Sequence, residues 1–198
     1  RDAGARDDLD DLDAAAKVTT ELAAATKLDR SGESWPRWRG PRGDGTWQGP
    51  KLPQRWPTGG LRRVWRQPLG GGYGGVAVAN GRVYVMDRKQ RPIEEERLLC
   101  FDAATGKQLW QHAYEVKYGN LPYGNGPRTT PTVTDERVFS LGSLGHLFCL
   151  HPQTGSILWS KDLVAEYQAQ IPLWGVSASP VLLEGLLVVQ AGGVPEAC

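Results

Sequence analysis

The stretch RLLCFDAATGKQLW, residues 97–110, recurs as HLFCLHPQTGSILW at residues 146–159. The two copies lie 49 residues apart and align three kinds of residue: Cys100 with Cys149, Gly106 with Gly155, and Trp110 with Trp159. Each copy predicts a strand, a Thr-Gly turn and a second strand, because short apolar runs flank residues that favour chain reversal. A supersecondary unit that returns at this period indicates a repeat architecture.

A similar pair of segments precedes the two copies, VAVANGRVYVMD at 76–87 and TPTVTDERVFSLG at 130–142. The dipeptide Asn80-Gly81 between alternating apolar residues predicts a tight β-hairpin. A third unit starts at SASPVLLEGLLVVQAGG, residues 177–193. Four antiparallel strands per unit, with a closing Trp, are typical of a β-propeller blade. We therefore predict an all-β, incomplete propeller of four-stranded antiparallel blades, with about two and a half blades at 76–110, 130–159 and, in part, 177–198.

Two segments precede the blades. Residues 1–30 contain eight acidic and five basic residues and no aromatic residue, which predicts an Ala-rich, marginally helical or disordered segment. Residues 31–75 contain eight basic and two acidic residues and are rich in Trp, Arg, Gly and Pro. Tryptophans interleaved with arginines could bind nucleic acid. We favour an extended segment that packs its tryptophans on the β-scaffold, with a propeller-closing strand near Trp65.

The overall composition excludes several functional classes. The 198 residues contain 23 Lys and Arg against 22 Asp and Glu, a net charge of +1, so no global charge favours nucleic acid or an anionic membrane. No apolar run reaches the length of about eighteen residues that a membrane-spanning helix needs. No signal peptide is visible, and because the chain begins at Arg1 we expect a piece of a longer protein.

The residues that most often carry chemistry form no recognisable site. The three cysteines are widely spaced and lack a zinc-ligand pattern, so Cys100 and Cys149 are expected to be small buried residues of the repeat. The histidines His112, His146 and His151 have no metal-ligand spacing. We therefore assign no catalytic, cofactor-binding or metal-binding residues.

The repeat resembles a known family, the PQQ-like (pyrrolo-quinoline quinone-like) β-propeller proteins. The resemblance rests on the unit A-x-G-x-V-Y-V…L-x-C-x-D-A-A-T-G-K-x-L-W, and it implies that Gly106, Trp110, Gly155 and Trp159 are structural residues of a tryptophan-docking motif. This family includes quinoprotein dehydrogenases and the outer-membrane-protein assembly factor BamB. The motifs WPRWRGPRGDG (35–45) and WGVSASP (174–180) are similar to those of secreted PQQ-like repeat proteins of planctomycete-type bacteria.

The resemblance implies a periplasmic or secreted protein and leaves two functions open. The first is a non-catalytic propeller that presents a binding or assembly surface, with no cofactor. The second is a PQQ-dependent alcohol or sugar dehydrogenase that also needs Ca²⁺, whose active-site parts would lie in blades outside this sequence. Enzymes of the family carry an adjacent Cys-Cys pair, which is absent here. We therefore favour the non-catalytic function.

One pair of loops is a candidate binding region. The connections before the second and third blades are rich in polar and aromatic residues, and in a propeller such connections enter the innermost strand at one end of the central channel. Loops on a rigid scaffold commonly carry binding residues. Tyr123, Arg128 and Trp174 are therefore candidates to line the channel mouth and bind a protein or a small ligand. The alternative is that they only pack neighbouring blades against each other.

Overall fold

A computed structural model gives the structure of the chain and describes residues 32–192. The prediction of a marginally helical or disordered segment concerns residues 1–30, which lie outside the described residues. The last residues of the third unit, 193–198, also lie outside them. The first sheet has the order β1-β2-β3-β4 and consists of β1 (Ala77–Ala79), β2 (Arg82–Lys89), β3 (Glu95–Asp102) and β4 (Gln108–Glu115). All neighbouring strands are antiparallel.

The second sheet repeats this order with β5 (Thr132–Val133), β6 (Val138–Leu141), β7 (His146–Leu150) and β8 (Ile157–Asp162). A five-residue helix, α1 (Leu163–Tyr167), follows, and the hairpin of β9 (Val181–Leu183) and β10 (Leu186–Val188) begins the third unit. Two four-stranded antiparallel blades and one inner hairpin confirm the predicted fold class.

The hairpin at Asn80-Gly81 is confirmed. Both residues have positive φ, 53° and 71°, and they join Ala79 to its partner Arg82. This is the conformation of a type I′ turn, whose twist matches that of the flanking strands. The third unit uses the same conformation at Glu184 and Gly185.

The two cysteines occupy the same place in the two sheets. Cys100 pairs with Trp110 and Cys149 pairs with Trp159, and the register shifts directly after each cysteine. Both thiols are buried and unpaired, as predicted. Burial raises the pKa of Cys100 to about 11 and also raises the pKa of Cys149, so both thiols are unreactive at neutral pH.

The strand bounds differ from those expected from sequence. The fourth strands run past Trp110 and Trp159, to Glu115 and Asp162, because the third strands are long enough to pair with the added residues. The inner strands start later than expected, since the residues before them bond to neighbouring units. Thr130 N donates to Ser179 Oγ at 2.8 Å, for example. The sequence predicts a propeller-closing strand near Trp65, but residues 61–70 form no strand.

The core lies between the faces of successive blades. One cluster packs blade one against blade two and contains, among others, Tyr84, Leu98, Trp110, Val138 and Leu150. A second cluster packs blade two against the start of the third unit through Leu141, Leu147, Leu163 and Val176. Stacking of this kind buries sheet faces that a single blade would leave in water.

The Trp/Arg-rich segment crosses the inner edges of all three units. Trp35 exchanges two backbone hydrogen bonds with Val78 of β1, at 2.7 and 2.8 Å. Val133 N of β5 donates to Pro36 O at 2.8 Å, and Arg37 Nη1 donates to Leu182 O of β9 at 3.4 Å. The segment therefore satisfies backbone groups that the innermost strands would otherwise expose.

Candidate functional site

The structure brings the three candidate residues into one surface. Tyr123 lies in the β4–β5 connection, and Trp174 lies in the connection between α1 and β9. Their rings stack with centroids 5.1 Å apart and planes inclined by 16°. The guanidinium of Arg128 lies over the ring of Tyr73, 4.8 Å from its centroid. We call Tyr73, Tyr123, Arg128 and Trp174 the aromatic platform.

Hydrogen bonds hold the backbone around Tyr123 on both sides. Arg128 Nη2 donates to Pro122 O at 3.0 Å and to Gly124 O at 2.8 Å, and the Tyr73 hydroxyl donates to Tyr123 O. Three consecutive carbonyls are thus bound by two side chains of the platform. Tyr123 itself has φ of 63°, a conformation that costs a residue with a Cβ about 1–2 kcal/mol. The contacts stabilise this strained backbone.

The platform is exposed although it is rigidly held. The residues Tyr123 and Trp174 are 83% and 45% exposed, and the neighbouring Leu173 is also exposed. Within residues 32–192, Arg128 forms no ion pair. Tyr, Trp and Arg are the residues that dominate binding energy at protein interfaces. A strained, pre-organised and exposed aromatic pair is a feature that folding alone does not require.

A buried polar network lies beneath the platform. Ser143, which follows β6, donates its Oγ to Gly126 O at 2.5 Å and accepts at its carbonyl from Val176 N at 2.8 Å. Its backbone N–H donates to the Glu96 carboxylate at 3.1 Å. Ser143 therefore bonds to blade one and to both loops of the platform.

Glu96 is fully buried and accepts two further hydrogen bonds, from the hydroxyls of Tyr114 and Tyr118. Burial, strengthened by the nearby carboxylate, raises the pKa of both tyrosines above the usual value. Both hydroxyls are therefore protonated donors at neutral pH. A buried carboxylate with three donors satisfies the requirement that a buried charge be hydrogen-bonded.

Three of the four repeat residues, Gly106, Trp110 and Gly155, contact a neighbouring unit or segment, and Trp159 contacts its own sheet. Trp110 Nε1 donates to Pro152 O at 2.9 Å, across the gap between blades one and two. A Cβ on Gly155, where φ is 71°, would lie 2.5 Å from Trp110 Cε3. Upstream, Trp65 Nε1 donates to Ala103 O at 2.9 Å, and its ring covers Gly106 in the same way. Trp159 lies against Phe139 of its own sheet, with ring centroids 6.0 Å apart.

Sequence reasoning did not find Tyr73, Glu96 or Ser143. The sequence offered one signal for Glu96, its charge within the otherwise apolar face of the strand EERLLCFD. A carboxylate on a buried strand face needs hydrogen-bond donors around it. Tyr73 and Ser143 lie in Gly-rich segments whose residues carry no periodic pattern. Their roles depend on contacts with residues at least 17 positions away.

The described part of the chain, residues 32–192, has no cluster of three or more His, Cys, Asp or Glu side chains that could hold a metal ion. The rings of His112 and His146 both lie near the Tyr114 ring, with centroids 5.8 and 5.3 Å away, and burial lowers the pKa of His112. Over residues 32–192, no helix has the length and apolar character to cross a bilayer.

Comparison with known proteins gives a family match and several relatives. The family model of the outer membrane protein assembly factor BamB matches residues 94–195. Quinohemoprotein alcohol dehydrogenase of Comamonas testosteroni is 32% identical over 88 residues, which are 43% of this chain and 12% of that protein. The chain thus spans a small part of this relative's length.

Two solved structures are also similar over part of the chain. A quinohemoprotein alcohol dehydrogenase from Pseudomonas putida HK5 matches 65% of this chain and 18% of its own chain, with 19% identity and a TM-score of 0.45. BamB from Moraxella catarrhalis matches 57% of this chain and 28% of its own, with 18% identity and a TM-score of 0.37.

Proposed function

The chain belongs to the family of the outer membrane protein assembly factor BamB, and from this premise we propose that it is a non-catalytic PQQ-like β-propeller module that presents a binding surface to a protein partner. The proposed surface is the aromatic platform. The proposed location is the cell envelope, periplasmic or secreted, because the matching family acts in outer-membrane assembly. No resident cofactor is part of the proposal.

The observation that carries the proposal is the exposed, pre-organised Tyr123–Trp174 stack. Stacked aromatic rings cost hydration free energy when they are exposed, and Tyr123 also carries backbone strain. Rigid aromatic side chains lose little conformational entropy on binding, so they contribute favourably when a partner covers them. The guanidinium of Arg128, which forms no ion pair within residues 32–192, adds a positive charge beside the rings that suits the acidic groups of a polypeptide.

Site-specific photo-crosslinking in the native host tests this proposal. The photoreactive residue p-benzoylphenylalanine replaces Leu173 in the full-length protein, because Leu173 adjoins Trp174 and is exposed. Leu52 in the Trp/Arg-rich segment, which is equally exposed, is the matched control position. We expect a discrete protein adduct from position 173 and none from position 52.

The platform residues are then changed in the position-173 protein. Tyr123→Ala and Trp174→Ala should each reduce the adduct by about tenfold or more, as expected for an interface hot spot of ~2 kcal/mol. Equal adducts from positions 173 and 52, or an adduct that both substitutions leave unchanged, would contradict the proposal.

A second candidate function is PQQ-dependent alcohol or sugar oxidation, favoured by the 32% identity to a quinohemoprotein alcohol dehydrogenase. Residues 32–192 contain no cluster of three or more His, Cys, Asp or Glu side chains that could hold the Ca²⁺ of such a site. Reconstitution of the full-length protein with PQQ and Ca²⁺, followed by a dye-linked oxidation assay, separates the two functions. Turnover above the protein-free rate would favour the dehydrogenase.

A further inference from the structure

We infer that Ser143 is a positioning residue that sets the geometry of the aromatic platform, and that buried Glu96 holds Ser143 in place. The inference rests on the proposed function for its effect on binding. Ser143 is fully buried in the second blade and lies outside the platform. It contacts neither Tyr123 nor Trp174 directly through any hydrogen bond of the structure.

The position of Ser143 between the two loops carries the inference. Its Oγ binds Gly126 O, three residues after Tyr123, and its carbonyl binds Val176 N, two residues after Trp174. The Tyr123 and Trp174 rings belong to different loops, about fifty residues apart in sequence. Ser143 thus binds both of the backbones that bring the rings into stacking contact.

Close packing around Ser143 leaves it little freedom to adjust. A Cβ on the preceding residue, Gly142, would lie 2.1 Å from both Glu96 Oε2 and Tyr114 Oη, and a Cβ on Gly175 would lie 3.2 Å from Ser143 Cβ. Because neighbouring atoms leave Ser143 no room to shift, we expect the loss of one of its hydrogen bonds to displace a loop of the platform.

Glu96 connects this arrangement to blade one. Its carboxylate accepts from Ser143 N and from the hydroxyl of Tyr118, which lies near the start of the Tyr123 loop. The guanidinium of Arg88 lies over the Tyr118 ring, 5.4 Å from its centroid. Glu96 therefore fixes both the beginning of the loop and the serine that binds its end.

A neighbouring serine provides a matched control. Ser140 is also fully buried, three residues before Ser143, but its Oγ has no hydrogen-bond partner in the structure. Ser140→Ala and Ser143→Ala remove the same hydroxyl from similar surroundings. A difference between these two variants therefore reports the hydrogen bond to Gly126 and not the loss of a buried polar atom.

Fluorine NMR tests the inference without the partner. The full-length protein is labelled with 5-fluorotryptophan, and the Trp174 resonance is assigned by its absence in Trp174→Phe. Tyr123→Leu defines the shift that follows from loss of the stacked ring. We expect Ser143→Ala to move the Trp174 resonance in the same direction and Ser140→Ala to leave it within the line width.

The Glu96 variants keep the test decisive if Ser143→Ala fails to fold. Glu96→Gln retains an oxygen that accepts from Ser143 N, so the Trp174 resonance should stay in place, whereas Glu96→Leu removes the acceptor and should move it. An unmoved resonance in Ser143→Ala, or in Glu96→Leu when the serine variant does not fold, would overturn the inference.

Crosslinking from position 173 separates this inference from the proposed function. Ser143→Ala should lower the adduct yield by about fivefold through lost pre-organisation, and Ser140→Ala should leave it unchanged. A moved Trp174 resonance with no adduct in any variant would support the positioning role and count against the proposed partner. An adduct yield equal in both serine variants would overturn the link between positioning and binding.

Discussion

Blade one and blade two contain the same strand pattern, yet their matched tryptophans differ in burial. Within residues 32–192, Trp110 is 8% exposed and Trp159 is 39% exposed, although both face a cysteine in the same register. The turn of blade two covers Trp110 with Pro152 and Gly155. A repeat residue therefore gains its burial from the next unit along the chain.

A second difference concerns buried charge. In blade one, Asp87 and Arg97 form an ion pair across β2 and β3 at 2.6 Å, and Asp87 also accepts from Gly70 N at 2.7 Å. The matching positions in blade two are Gly142 and His146, counted from the paired cysteines. In blade one, the carboxylate of Asp87 thus binds the Gly-rich segment through Gly70. In blade two, the absence of a side chain at Gly142 leaves room for the Glu96 carboxylate.

The largest expected effect tests the burial of the two tryptophans. Trp110→Ala should lower the free energy of unfolding by about 3–5 kcal/mol, because it leaves a cavity between blades and removes one of the two donors to the Pro152 carbonyl, the other being Arg82 Nη1. In the 198-residue chain, Trp159→Ala should cost less than half as much, since residues 32–192 leave that ring partly in water. Urea denaturation followed by circular dichroism measures both. Equal losses would show that the inter-blade contact does not determine the difference.

Next in size is the buried ion pair of blade one. Asp87→Asn should lower the free energy of unfolding by about 3 kcal/mol, because Arg97 keeps its charge and loses its partner. The exposed pair Arg42–Glu33 supplies an isosteric control, and Glu33→Gln should change stability much less than Asp87→Asn, because water screens that pair. Chemical denaturation measures the free energy of unfolding of both variants. A loss for Asp87→Asn no greater than that for Glu33→Gln would contradict the prediction.

Substitution at the turn glycines sharpens the comparison further. Gly155→Ala should cost about 2–3 kcal/mol, because the new Cβ meets Trp110 and the residue has positive φ. Gly106→Ala should cost less, since its partner Trp65 is only partly buried and can move. Thermal denaturation measures both, with Gly185→Ala as the control for positive φ alone, because a Cβ there meets no atom within 4 Å.

The smallest expected effect is a pH dependence confined to blade one. Burial lowers the pKa of His112 below its ordinary value of 6.5, so the unfolded chain takes up a proton at a higher pH than the folded chain. Stability contributed by neutral His112 is therefore present above about pH 6.5 and is lost as the pH falls toward the lower folded pKa. His112→Gln should flatten this part of the stability profile.

Lys161 occupies the position in blade two that matches His112, so Lys161→Gln is the control and should leave the slope between pH 5 and 7 unchanged. Denaturation midpoints at a series of pH values provide the measurement. A slope that His112→Gln does not alter would assign the acid sensitivity to another group.

The amino-acid sequence by itself determined the repeat, the hairpin at Asn80-Gly81, the buried cysteines and the equivalent positions of Trp110 and Trp159. These features follow from turn chemistry and side-chain alternation, which act over fewer than about fifteen residues. The sequence also identified Tyr123, Arg128 and Trp174 as candidates, from loop composition and the family resemblance, but it did not predict that Tyr123 and Trp174 would stack.

Only the tertiary structure decided which tryptophan is covered, where Trp65 lies and how the platform is held. Trp65 binds the turn at Ala103 without being part of a strand, and Ser143 joins two loops through its backbone and its hydroxyl. Such contacts join residues from different units, and their free energy depends on how blades stack, not on local propensity. Positions that are equivalent in the repeat, such as Trp110 and Trp159, therefore differ in burial and in hydrogen bonding according to the unit that packs against them.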